Sequence, residues 1–166
     1  SQEGVGSRFS LHLPMLRNGR PVAARQQEPG EGLVGMLDFK VLCVDNERPI
    51  LEAMQGLLKH WGCDVRVALS LKQIDREGLL DGWYPDLVLM DYHLDQTSGL
   101  DAIEWLRHNL GGHLPAALVT ADRSPAVRTL AEDRGIAVIN KPVKPAALRA
   151  TISGLANQAG PRARLQ

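Results

Sequence analysis

From Lys40 onward the chain alternates two textures: short runs of β-branched and other apolar residues, and longer stretches whose apolar positions recur every three or four residues. The short runs predict strands at Lys40–Asp45, Cys63–Ala68, Asp86–Asp91, Ala116–Thr120 and Ile136–Asn140, each bounded by polar or turn-forming residues. Between the first two, Ile50, Leu51, Met54, Leu57, Leu58 and Trp61 fall on one helical face, and Leu100, Ile103 and Leu106 repeat that spacing after the third. Weaker periodicity predicts helices over Leu71–Leu80 and Pro125–Arg134, and Leu148, Ile152 and Leu155 mark a last one. Parallel strands need crossover connections, so strict alternation predicts a doubly wound α/β fold. Its five-stranded parallel sheet is expected in the flavodoxin-like order 2-1-3-4-5, with helices on both faces.

Before Lys40 the pattern breaks down. In Ser1–Pro14, Phe9, Leu11 and Leu13 alternate with Arg8, Ser10 and His12, enough for one strand but no sheet of its own. Met15–Leu37 is rich in glycine, proline, arginine and glutamine without sustained periodicity and reads as a linker. The expected division is therefore residues 1–14, a linker over 15–37, the α/β domain over 38–158 and a tail over 159–166. The chain opens on Ser1 in the middle of a pattern, so a longer parent is expected.

Composition narrows the function by exclusion. A length of 166 residues holds one ordinary domain plus tails. Nineteen basic residues balance 19 acidic ones, so no nucleic-acid partner and no polybasic membrane contact is expected. No apolar run approaches the roughly 18 residues that span a bilayer, and a soluble cytoplasmic piece is expected. Cys43 and Cys63 lie in apolar stretches without metal or disulfide spacing and read as buried thiols. His12, His60, His108 and His113 show no metal-ligand spacing either.

The chemistry must then be local, and in a doubly wound sheet it belongs outside the carboxyl ends of the strands. The first strand ends in Asp45, Asn46 and Glu47, the third in Asp91, the fourth in Thr120, and the fifth runs into Lys141 and Pro142. Singly these are ordinary: a helix cap, a strand-end hydroxyl, a solvated amine, and around Asp95, Ser98 and Gly99 plain turn chemistry. Gathered at one edge they suit phosphoryl transfer. An aspartate can attack a phosphoryl donor to give an acyl phosphate. Magnesium prefers carboxylate, carbonyl and water oxygens, and an amine and a hydroxyl can hold the remaining phosphoryl oxygens.

Four segments carry a resemblance: VLCVDNE (Val41–Glu47), PDLVLMDYHLDQTSGL (Pro85–Leu100), ALVTA (Ala117–Ala121) and NKP (Asn140–Pro142). Over about 120 residues the chain resembles the response-regulator receiver family of two-component signalling. The resemblance implies that Asp91 is phosphorylated, that Asp45, Asn46, Asp91 and the backbone carbonyl of His93 hold Mg2+, and that Thr120 and Lys141 contact the phosphoryl oxygens. It implies a cis peptide bond before Pro142, a switch pair at Thr120 and Val138, and control of phosphoryl lifetime by His93 and Asp122. Two positions depart from the family: Asn46 stands where a second acid is usual, and Val138 where an aromatic residue is. Glu3–Pro14 resembles the final strand of a histidine-kinase ATP-binding domain, so the expected parent is a hybrid histidine kinase. The kinase's own histidine helix and nucleotide boxes are absent from these 166 residues.

The partner implied is a phosphohistidine-bearing kinase or histidine phosphotransfer domain; the oligomeric state is left open, a homodimer being one option. The rival reading, prompted by Asn46 and Val138, is a pseudo-receiver that binds partners without phosphorylation. A metal-dependent phosphatase would want a carboxylate two residues after its nucleophile, where this chain has His93, and a flavodoxin would want a hydroxyl-rich phosphate loop that Asn46–Ile50 does not supply. Only residues 159–166 follow the last helix, which leaves no room there for a DNA-binding output domain.

Overall fold

The computed structural model describes Phe39–Leu94 and Thr97–Ala159. The expectations for residues 1–37, for the tail beyond Ala159 and for Asp95 lie outside the described residues. In chain order the elements are β1 (Lys40–Val44), α1 (Arg48–His60), β2 (Asp64–Ala68), α2 (Leu71–Arg76), β3 (Leu87–Asp91), β4 (His93–Leu94), β5 (Thr97–Ser98), α3 (Gly99–Asn109), β6 (Ala116–Thr120), α4 (Pro125–Glu132), β7 (Ala137–Asn140) and α5 (Pro145–Ala159).

The five long strands form one parallel sheet in the order β2-β1-β3-β6-β7, which is the expected 2-1-3-4-5 order once the two-residue strands are set aside. Side chains alternate across a strand, and the sheet divides its apolar residues accordingly. Val41, Cys43, Leu87, Leu89, Ala117 and Val119 pack with α1 and α5 on one face. Leu42, Val44, Val88, Met90, Ala116 and Leu118 pack with α2, α3 and α4 on the other. Strands buried on both sides must be apolar throughout, and β3 and β6 are buried at every position. Cys43 and Cys63 are buried free thiols, and burial pushes both above the usual thiol range.

Several boundaries differ from the sequence reading. The second helix stops at Arg76 rather than Leu80, because Gly78 adopts φ 57° and turns the chain out of the helix. Leu79 and Leu80 still pack against the core from the turn that follows. The fourth helix ends at Glu132, two residues early, and a further left-handed turn follows at Gly135, φ 62°. The last helix includes Ala159, one residue into the expected tail. Where the sequence predicts only a turn, the structure has the antiparallel pair β4 and β5, with His93 opposite Ser98.

On the edge strand β2, the Trp83 indole N–H donates to Asp64 Oδ2 at 2.6 Å. The Arg66 guanidinium stacks 4.7 Å from the Trp83 ring and donates to the Leu79 carbonyl. These contacts fasten the loop after α2 to the sheet.

Candidate functional site

Each strand of the site ends where burial gives way to solvent. β1 is fully buried from Val41 to Val44, and Asp45, 2% exposed, is the first residue beyond it. The Asp45 backbone N–H donates to the Ala68 carbonyl at 3.2 Å, and Asp45 Oδ1 accepts from the Glu47 backbone N–H at 2.9 Å. Asn46 and Glu47 are exposed at the entrance to α1. Asp91 closes β3 at 4% exposure, and its Oδ2 accepts from the His93 N–H at 3.0 Å. Thr120 is fully buried at the end of β6, and its Oγ1 accepts from the Asp122 N–H at 3.0 Å.

Lys141 joins the set from β7. Its backbone N–H donates to the Thr120 carbonyl at 2.7 Å, which anchors the lysine to β6. Neighbouring strands lie about 4.8 Å apart, so only a long side chain reaches from β7 past β6 to β3. Lys141 Nζ lies 2.8 Å from Asp91 Oδ1, 3.0 Å from Asp45 Oδ2 and 3.5 Å from Glu47 Oε1. The Lys141–Pro142 peptide bond is cis.

Burial pushes the Asp45 carboxyl above its ordinary value; the Glu47 N–H and Lys141 pull it down in part, and the Asp91 charge pushes it up again. For Lys141, burial works against the charged form, but the carboxylates of Asp91 and Asp45 outweigh it and the ammonium is held above its usual range. The Ser124 N–H, 2.7 Å from Asp122 Oδ1, holds the Asp122 carboxyl below its ordinary range, and the nearby His93 ring adds a smaller pull in the same direction. Val138 pairs with Leu118, and Asn140 with Thr120, so strand alternation puts Thr120 and Val138 diagonally on one face.

The donor set suits a hard divalent cation. Asp45 Oδ2 is buried and accepts no hydrogen bond of good direction, its ion pair with Lys141 being its one close charge partner. Among the described residues no three His, Cys, Asp or Glu side chains converge as metal ligands. Two carboxylates supplemented by backbone and water oxygen match magnesium, which keeps much of its hydration shell.

One contributor was missed by sequence reasoning. Gly99, turn chemistry by sequence, lies against the backbone of Asp91: a Cβ there would stand 2.1 Å from the Asp91 carbonyl oxygen. Its N–H donates to the Tyr92 carbonyl at 2.8 Å. A glycine at the first position of a helix, where alanine would be favoured, was the available signal.

The fold is a doubly wound α/β domain with a buried acid at one strand end and a lysine reaching it from two strands away, and the comparisons name its family. Residues 41–153 match the response regulator receiver domain, and the chain belongs to that family. It is 30% identical over 127 residues to the autoinducer 2 sensor kinase/phosphatase LuxQ of Vibrio cholerae, a match covering 74% of this chain but 14% of that protein. The chain thus spans about a seventh of that relative's length. Among solved structures it resembles a CheY-like receiver from Methanospirillum hungatei, with TM-score 0.63 and 24% identity over 74% of this chain and 96% of that one. A two-component response regulator from Clostridium difficile gives TM-score 0.65 at 17% identity, over 74% and 99% of the two chains. This chain is a receiver domain of two-component signalling. No helix among the described residues is long and apolar enough to cross a membrane.

Proposed function

We propose that Asp91 accepts a phosphoryl group from a phosphohistidine, in a kinase or a histidine phosphotransfer domain, in a magnesium-dependent reaction. The observation that carries this reading is the Lys141 ammonium 2.8 Å from Asp91 Oδ1 at the open end of the sheet. An Asp91 oxygen attacks phosphorus, the phosphorus–nitrogen bond to the donor imidazole breaks with its electron pair going to that ring, and an acyl phosphate forms. Lys141 is placed to hold the new negative charge. Thr120 Oγ1 accepts from Asp122 N–H, which leaves its own proton to donate to a phosphoryl oxygen. Bound magnesium, held by Asp45, Asp91, Asn46 and the His93 backbone, would offset charge on the transferring oxygens.

Two further roles complete the reading. Thr120 is the switching group, and Val138, stiff at χ1, gives it a smaller companion movement than a larger side chain would. His93 and Asp122 flank the acyl phosphate and set how readily water attacks it. The similarity to a sensor kinase/phosphatase, together with the sequence resemblance of Glu3–Pro14 to a kinase segment, supports placement at the receiver end of a hybrid histidine kinase. The cytoplasmic location follows from that family reading.

Incubation with magnesium and acetyl phosphate, read by intact mass, tests the proposal. Wild type gains one phosphoryl group and Asp91→Asn gains none, while its circular dichroism is unchanged. Undiminished labelling of the variant overturns the assignment.

A further inference from the structure

Three of the helices begin in the same way: Ser70, Ser98 and Ser124 each accept a hydrogen bond from a backbone N–H three residues on. Short polar side chains are favoured there because they reach those unpaired donors. Glu47 occupies the same position before α1, and its side chain makes no capping bond. It turns instead to Lys141, the ammonium that also holds Asp45 and Asp91. Those two aspartates are 3% and 5% exposed at their side chains, whereas Glu47 is 61% exposed and has room to change rotamer. The residue between Asp45 and Glu47 is the neutral Asn46, and Asp45 Oδ2 is a buried oxygen without a hydrogen bond.

We propose that Glu47 is the third carboxylate of the divalent-cation site, carrying the charge that Asn46 lacks and exchanging between Lys141 and the cation's hydration shell. The inference rests on the reading of this cleft as a magnesium-assisted phosphoryl acceptor. Magnesium parts with its waters reluctantly, so an acid one residue beyond the inner position acts through a water, and a long exposed side chain suits that. With the cation absent, the same carboxylate helps neutralise Lys141. The simpler explanation for an acid here is its favourable charge at a helix N-terminus. That explanation affects stability and leaves cation affinity alone.

Calorimetric magnesium titrations and metal-free melting curves separate the two. Glu47→Gln and Glu47→Ser should each weaken magnesium binding by about tenfold, the order expected for removing one nearby charge. Glu47→Ser should do so without lowering the metal-free melting temperature, because serine supplies the missing cap. Adding Asn46→Asp to Glu47→Gln should return the affinity. Wild-type affinity in both Glu47 variants overturns the proposal. Asp45→Asn shows which reading has failed: if it has lost binding while the Glu47 variants have not, only the role of Glu47 falls. If Asp45→Asn binds as wild type does, or if wild type takes up no magnesium, the cation site itself falls.

Discussion

Burial pushes the Asp45 carboxyl up, and its hydrogen bond from Glu47 and its lysine partner bring it only part of the way back. Its proton is therefore held more tightly in the folded than in the unfolded chain. The stability this group contributes falls as pH rises through the carboxylate range, and at neutral pH its charge is a net cost. Asp45→Asn should raise the melting temperature of the metal-free domain at neutral pH by a few degrees and lose that advantage in acid, where the native carboxyl is protonated. A lower neutral melting temperature for the variant would contradict this. Lys141 follows the same sign, higher on the pH scale, and its charge is a net gain at neutral pH. Its raised value means that its contribution is complete below the ordinary lysine range and is lost only as pH climbs through the folded value.

At the scale of elements, the contact between α3 and β3 decides where Asp91 sits. Gly99 opens α3 directly against the Asp91 carbonyl, with Leu118 Cδ1 3.0 Å from the place a Cβ would take. A backbone oxygen cannot step aside as a flexible side chain can. Gly99→Ala should cost about 1–3 kcal/mol, as overpacking in a close-packed interior does, and should slow phosphoryl incorporation by displacing the end of β3. Urea unfolding and the mass assay check the two halves, and a variant with unchanged midpoint and rate would remove this contact from the site. The strands and the longer helices were legible because apolar periodicity survives in a sequence. The end of α2 was not, since Leu79 and Leu80 continue the apolar pattern into a turn and only the backbone angle of Gly78 separates the two. The register of β4 and β5 was not legible either, two residues being too few for any period.

For the described domain as a whole, the site stands on its most protected part. β1, β3 and β6 are interior strands buried on both faces, and amides in such elements open only with the largest part of the fold. Hydrogen exchange should be slowest at Val44, Met90 and Val119 and fast at the exposed Arg123. Early exchange at the three strand positions would show that the sheet is not the cooperative unit. Strand order and the identities of Asp45, Asp91, Thr120 and Lys141 could be read from sequence because a doubly wound sheet sends strand ends to one edge. What could not be read was reach: that one ammonium spans to β1 and β3 and also meets Glu47 is a matter of side-chain length and strand spacing. The fastening of Trp83 and Arg66 over β2 bears on how the domain meets other proteins. An outer strand with free backbone groups invites another chain to add itself to the sheet. Here one outer strand carries Asp64 and Arg66, both engaged with the following loop. The other is four residues long and runs into Pro142, which has no N–H to offer. Both borders of the described sheet are thus made poorer templates for strand addition, and association through this domain is expected to be written in side chains.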